Sequence, residues 1–125
     1  MTGLLLDTHV LLWFMEDAAL RPGVRRAIAD PDRSVKVSVA SLWEVAIKQG
    51  LGRLKPPEDP AEAAEAVGFE LLGIAPTHAR AVIDLPLHHR DPFDRMLVAQ
   101  AKTERLTLVT RDRRMRDYDV KVMPA

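Results

Sequence analysis

Apolar and polar positions along the chain fall into short blocks of two kinds. Gly3-Leu4-Leu5-Leu6 has the length of a buried strand and runs straight into the polar pair Asp7-Thr8. Either of those residues can cap a helix over Val10 to Glu16. Pro22 opens a second helix that carries Val24, Ala27 and Ile28 inward and stops at Asp30-Pro31. Ser34 to Val39 alternates, with β-branched Val35, Val37 and Val39, and predicts a strand. A helix follows from Ser41 through Gln49 to Gly50, then a loop from Leu51 to Pro57. Asp59-Pro60 starts another helix that Gly68 ends. Phe69 to Ile74 is a third strand, Pro76 to Leu85 a helix, and Pro86 to Arg90 a loop. Asp91-Pro92 opens a long helix through Arg105. Thr107-Leu108-Val109 is a fourth strand, Asp112 to Tyr118 a helical turn or two, and Val120 to Met123 a fifth strand.

Strands that alternate with helices predict an α/β fold: a parallel five-stranded sheet flanked by helices on both faces, one domain over residues 1–125. Ligands in such sheets bind beyond the carboxyl ends of the strands, where the strand order reverses. Composition changes this picture little. The 125 residues are 47% hydrophobic and 29% charged, as in an ordinary globular protein. With 18 basic and 18 acidic residues, a nucleic-acid partner would require locally concentrated positive charge. The absence of cysteine excludes disulfides, zinc–thiolate sites and thiol nucleophiles. No apolar run is long enough to span a bilayer, and no basic segment precedes an apolar one at the N-terminus, so a cytoplasmic protein is expected.

Candidate chemistry comes from four acids. Asp7 ends the first strand, Glu44 lies on the first turn of the helix after the second, and Asp112 lies just past the fourth. Asp94 opens the helix that leads into that fourth strand. Each has a plain capping explanation: Asp7 and Asp112 as caps, Ser41-x-x-Glu44 as a capping box, Asp91-Pro92-Phe93-Asp94 as cap, N1 proline and N3 acid. Together they resist it. Asp7 follows three leucines and Glu44 stands between Trp43 and Val45, surroundings that penalise a carboxylate unless it is paired, hydrogen-bonded or bound to a cation. Hard oxygen ligands without a thiol favour Mg²⁺ or Mn²⁺, and such sites suit phosphodiester hydrolysis.

Four segments in order carry a family resemblance: Leu5-Leu6-Asp7-Thr8-His9; Ser41-Leu42-Trp43-Glu44-Val45-Ala46-Ile47-Lys48; His89-Arg90-Asp91-Pro92-Phe93-Asp94-Arg95 with Leu97-Val98-Ala99-Gln100-Ala101; and Leu108-Val109-Thr110-Arg111-Asp112. Across essentially the whole chain the sequence resembles the PIN-domain family, and within it the VapC-type toxins of prokaryotic toxin–antitoxin pairs. The resemblance implies a PIN-like three-layer fold, a Mg²⁺- or Mn²⁺-dependent endoribonuclease, a cognate antitoxin that blocks the site, and a homodimer. Transfer RNA is a common substrate of such toxins. By position, Asp7, Glu44, Asp94 and Asp112 match the family's catalytic, metal-binding tetrad. Asp91 matches an accessory acid, which can equally cap its helix, and Thr8 and Thr110 match hydroxyls that support the neighbouring carboxylates.

Other residues are assigned beside these. Arg111, Arg113, Arg114 and Arg116 are the candidates for the RNA backbone, with solvated surface as the plain alternative. Lys48, Arg53 and Lys55 form a second basic group. His9 is expected partly buried and hydrogen-bonded, His88 and His89 exposed in their loop, and Trp13 and Trp43 inward-facing. Arg95 is placed to pair with a carboxylate or with substrate, and Asp117 and Asp119 belong to the surface. An aspartate-dependent phosphatase would need an acid where His9 stands. A receiver domain would need two adjacent acids after its first strand and Lys-Pro after its last, whereas Lys121 and Pro124 are separated. A non-catalytic metal-binding or protein-interaction module of the same fold is the remaining alternative.

Overall fold

The computed structural model describes residues 2–17 and 19–125. Leu4–Leu6 forms strand β1, and all three leucines are fully buried, as expected for a strand covered on both faces. The chain continues through helix α1 (Thr8–Met15), helix α2 (Pro22–Ala29), strand β2 (Val35–Ser38), helix α3 (Val39–Gly50) and helix α4 (Pro60–Ala66). Strand β3 (Glu70–Leu72), helix α5 (Pro76–Ala81) and a 3₁₀ turn (Val82–Asp84) lead to helix α6 (Pro92–Glu104). Strand β4 (Thr107–Thr110), a second 3₁₀ turn (Arg113–Asp117) and strand β5 (Val122–Pro124) complete it.

The five strands pair in the order β3-β2-β1-β4-β5, every neighbouring pair parallel. The chain therefore starts at the centre, winds outward through β2 and β3, and returns to place β4 on the other side of β1. The order reverses between β1 and β4, so their carboxyl ends flank the crevice in which α/β sheets bind ligands. Alternation along β1 divides the interior. Leu4 and Leu6 pack with Val10, Leu11, Val24, Ile28 and Val37. Leu5 faces the other way, among Leu97, Val98, Leu108 and Met115. The result is the expected three-layer α/β sandwich.

Several boundaries differ from those read in the sequence. Helix α1 begins two residues earlier, at Thr8. Helix α3 begins at Val39, because the Ser38 hydroxyl takes the Ala40 amide at 3.0 Å and caps it there. Ser41 and Glu44 therefore lie within the helix, Glu44 on its second turn, and the expected capping box does not form. The helix predicted from Pro76 to Leu85 gives way to the 3₁₀ turn at Val82. The third strand is shorter than predicted, and the fifth starts two residues later and ends one later.

The structure also corrects the inward reading of Trp43, on a helix that carries apolar residues on more than one face. Its side chain is not core: the residue is 58% exposed and meets Phe93 of α6 edge-on at 5.2 Å. Val39, Trp43, Ile47 and Leu51 recur every fourth residue as an exposed apolar stripe along this helix and its end. Trp13 is half-buried against the core on the α1 side, consistent with its inward assignment. Among the described residues, no helix is long and apolar enough to cross a membrane.

Candidate active site

Asp7 occupies the residue between β1 and α1. It is the N-cap by position, yet its side chain makes no capping hydrogen bond. Instead Oδ2 accepts a 2.6 Å hydrogen bond from the Thr110 hydroxyl at the end of β4. Oδ1 is buried and has no hydrogen-bond partner among the described residues. An orphaned carboxylate oxygen in the interior is costly, and burial holds the Asp7 carboxyl above its ordinary range despite the help of Thr110 and His9.

Glu44, almost fully buried on α3, has both oxygens engaged. Oε1 accepts from the Thr8 hydroxyl at 2.8 Å, and Oε2 accepts from the Lys48 ammonium one turn along the helix at 2.7 Å. Thr8 also lies 2.9 Å from the Ser41 hydroxyl. Since Thr8 has one proton, a consistent network has Ser41 donating to Thr8 and Thr8 donating to Glu44.

Asp91 and Asp94 sit at the start of α6. Asp91 caps the helix: its Oδ1 accepts from the Phe93 and Asp94 amides at 2.8 and 3.1 Å. Asp94 is pushed up to about 8, first by burial and then by the charges of Asp7, Asp91, Glu44 and Asp112. Those charges place the acid cluster on one shared field, reached from β1, α3, α6 and the end of β4. Asp112 behaves oppositely. Burial would raise it, but hydrogen bonds from the Arg114 side chain and backbone and from His89 outweigh that and hold it at about 2. It also caps the 3₁₀ turn through the Arg114 amide.

His89 is the residue that sequence reasoning missed. It is buried, not exposed, while His88 beside it is exposed as expected. Its backbone amide donates to the Tyr118 hydroxyl at 2.9 Å. Its Nδ1 accepts from the Asp91 amide at 3.1 Å, so in the neutral ring the proton resides on Nε2. That nitrogen lies 2.9 Å from Oδ2 of Asp112 and 3.0 Å from Oδ2 of Asp94. Although the three ligand atoms fall within 4.8 Å of one another, a protonated Nε2 has no lone pair for a cation. His89 thus donates to Asp112 and stands beside Asp94, at the junction of the two acids. The only sequence signal was its place two residues before a helix-capping aspartate.

The arginines separate. Arg111 stacks on Trp13 with its guanidinium 4.2 Å from the ring centroid and donates to the backbone carbonyls of Ala125 and Ala19. Arg114 pairs with Asp112 at 3.0 Å. Arg113 and Arg116 are exposed and unpaired among the described residues. Arg95 pairs with no carboxylate among the described residues; it donates to the carbonyls of Pro86, Val82 and Leu85 and to the Tyr118 hydroxyl, tying down the loop that carries His89. His9 is exposed, and its ring makes no hydrogen bond among the described residues. Asp117 and Asp119 are exposed, as expected.

A surface hollow of about 620 Å³ lies between Val82, Leu87, Pro92 and Met96. It holds none of the four acids, and converging polar groups rather than volume mark the site. For a divalent cation, the carboxylates supply hard oxygen donors, and the buried, unpartnered Oδ1 of Asp7 is the atom that such an ion would satisfy.

Comparison with known proteins agrees with this architecture. The PIN domain family model matches residues 4–121. Ribonuclease VapC22 of Mycobacterium tuberculosis is 33% identical over 122 residues, covering 94% of this chain and 93% of that protein. A chain in the crystal structure of DNA-bound VapBC from Salmonella typhimurium superposes with a TM-score of 0.71 at 18% identity, covering 99% of this chain and 98% of its own. One in the structure of VapBC2 from Rickettsia felis bound to a promoter DNA fragment gives 0.73 at 13% identity, covering 97% of each chain. At these identities the structural likeness bears on the fold.

Proposed function

The chain belongs to the PIN domain family, and from that premise we propose that it is a Mg²⁺- or Mn²⁺-dependent endoribonuclease, the toxin of a toxin–antitoxin pair. The observation that carries the reading is the buried Oδ1 of Asp7, without a partner among the described residues, in a cluster whose burial and charges push Asp94 up to about 8. Asp7, Glu44, Asp94 and Asp112 form the catalytic acid set whose charge attracts the cation, within a single domain spanning residues 1–125. When bound, the cation supplies an activated water and charge stabilisation for in-line displacement at phosphorus.

The residues around it do the positioning. Thr110 holds one oxygen of Asp7 and leaves the other open. Thr8 fixes Glu44, and His89 fixes Asp112 beside Asp94. Asp91 serves as the helix cap and keeps Oδ2 available to the site as an accessory acid. Arg113 and Arg116 are the arginines available to RNA phosphates, since Arg111 and Arg114 are engaged within the chain. The VapC22 relative supports ribonuclease chemistry, and the VapBC complexes support an antitoxin partner. A homodimer, a cytoplasmic setting and transfer RNA as substrate belong to the same reading.

Cleavage of total cellular RNA by the purified chain, with and without Mn²⁺ or Mg²⁺, tests it. Cation-dependent cleavage that disappears in Asp7→Asn is expected; metal-independent cleavage, or an active Asp7→Asn protein, overturns it.

A further inference from the structure

The carboxylate oxygens of the acid cluster divide into partnered and open ones. Both oxygens of Asp112 are taken, by Arg114 and His89. Both oxygens of Glu44 are taken, by Thr8 and Lys48. Asp7 and Asp94 each keep an Oδ1 without a hydrogen bond among the described residues, and that of Asp7 is buried.

Lys48 stands apart from Arg53 and Lys55, with which its charge grouped it in the sequence. Those two are exposed in the loop after α3, whereas Lys48 reaches back to a carboxylate that is only 5% exposed. An ordinary i,i+4 surface pair has two solvated, mobile partners and contributes little. Here the carboxylate is immobilised by Thr8, and the ammonium also lies in the field of Asp91 and Asp94.

We propose that the Lys48 ammonium is the second cation of this site: it occupies the Glu44 end, so that the site takes a single divalent ion, held through Asp7 and Asp94. Two-ion nucleases place their metals roughly 3.5–4 Å apart and need carboxylate oxygens for both. An ammonium bound to Glu44 Oε2 at 2.7 Å denies that oxygen to a second ion and repels it. A lysine is a compact cation with three donors, and those not used by Glu44 remain for a phosphate oxygen. The proposal rests on the cation-dependent reading above, but its stoichiometry can be measured without RNA.

The experiment is calorimetric titration of the full chain with Mn²⁺, alongside Lys48→Met and Lys48→Arg, each first checked for an unchanged thermal melt. One Mn²⁺ per chain is expected for the wild type and for Lys48→Arg, and two for Lys48→Met, which frees Glu44. Cleavage of total cellular RNA should fall roughly 100-fold in Lys48→Met and partly return in Lys48→Arg. Two ions in the wild type, or a single ion of unchanged affinity in Lys48→Met, overturns the proposal. If Lys48→Met does not fold, a second ion in Lys48→Arg overturns it and a single ion supports it. The expected ion counts without any cleavage by the wild type would leave Lys48 as the second cation and remove the ribonuclease reading.

Discussion

Thr110 donates its hydroxyl to Oδ2 of Asp7 at 2.6 Å across the two central strands, 103 residues apart in sequence. The bond orients the carboxylate while leaving Oδ1 buried without a partner. Under the proposed reading, that open oxygen favours a bound cation over the stability of the protein alone.

Asp7→Asn therefore separates stability from function. Without divalent ions its melting temperature should equal or exceed that of the wild type, because a strained buried acid has gone. The wild type should gain stability as Mn²⁺ is added, following the logarithm of free ion over Kd, and the variant should gain almost none. Thermal melts with and without chelator check this. A variant stabilised by Mn²⁺ as much as the wild type would remove Asp7 from the cation site.

His89→Ala removes the donor that fixes Asp112 beside Asp94. Residues that orient ligands without touching the metal typically account for about 10- to 100-fold in metal affinity or activity. A loss of that size in Mn²⁺ affinity is expected, with His89→Gln, whose amide can still donate, recovering part of it. Unchanged Mn²⁺ binding by His89→Ala would reduce His89 to a packing role.

The two perturbed acids give opposite pH dependences. Asp94 holds its proton up to about 8 in the folded protein, against an ordinary value of 3.8, so its contribution to stability is full below pH 3.8 and declines as pH rises to about 8. Asp112 titrates at about 2, so its contribution is present above 3.8 and lost as pH falls toward 2. Cation binding at pH 7 should accordingly expel about one proton from Asp94, and hardly any at pH 9. Calorimetry in buffers of different ionisation enthalpy measures this. Enthalpies that do not depend on the buffer at pH 7 would refute it.

Arg111→Ala should act on stability rather than on RNA. It loses two hydrogen bonds to backbone carbonyls and the stack on Trp13, about 1–3 kcal/mol together. Arg113→Glu with Arg116→Glu should leave the melt unchanged and weaken RNA binding with a shallower salt dependence. Denaturant melts and salt-titrated binding distinguish the two groups, and the reverse pattern would exchange their roles.

The fold was legible because each layer announces itself locally. Three leucines before Asp7, alternating valines before Ser38 and Asp-Pro helix starts at Asp59 and Asp91 encode a strand–helix alternation that admits few topologies. The four acids stood out because three of them follow strands. What stayed hidden depends on distant neighbours. His89 is buried by Tyr118, 29 residues later, and by acids on two other elements. Trp43 was misplaced because α3 carries apolar residues on more than one face, so its pattern does not fix which side turns inward. Lys48 was grouped by charge, whereas its role comes from a partner whose burial the sequence does not print. The caps were ambiguous one by one: the structure keeps Asp91 and Asp112 as caps and denies that role to Asp7 and Glu44.

The placement of β4 beside β1 also bears on the order of synthesis. A ribosome delivers Asp7 103 residues before Thr110, and the intervening segments can fold only around a centre that is still missing a strand. Until β4 docks, Asp7 has no hydroxyl to orient it and His89 has neither Tyr118 nor Asp112 to hold. The cluster thus stays unassembled until β4 docks, and its parts then come together nearly all at once.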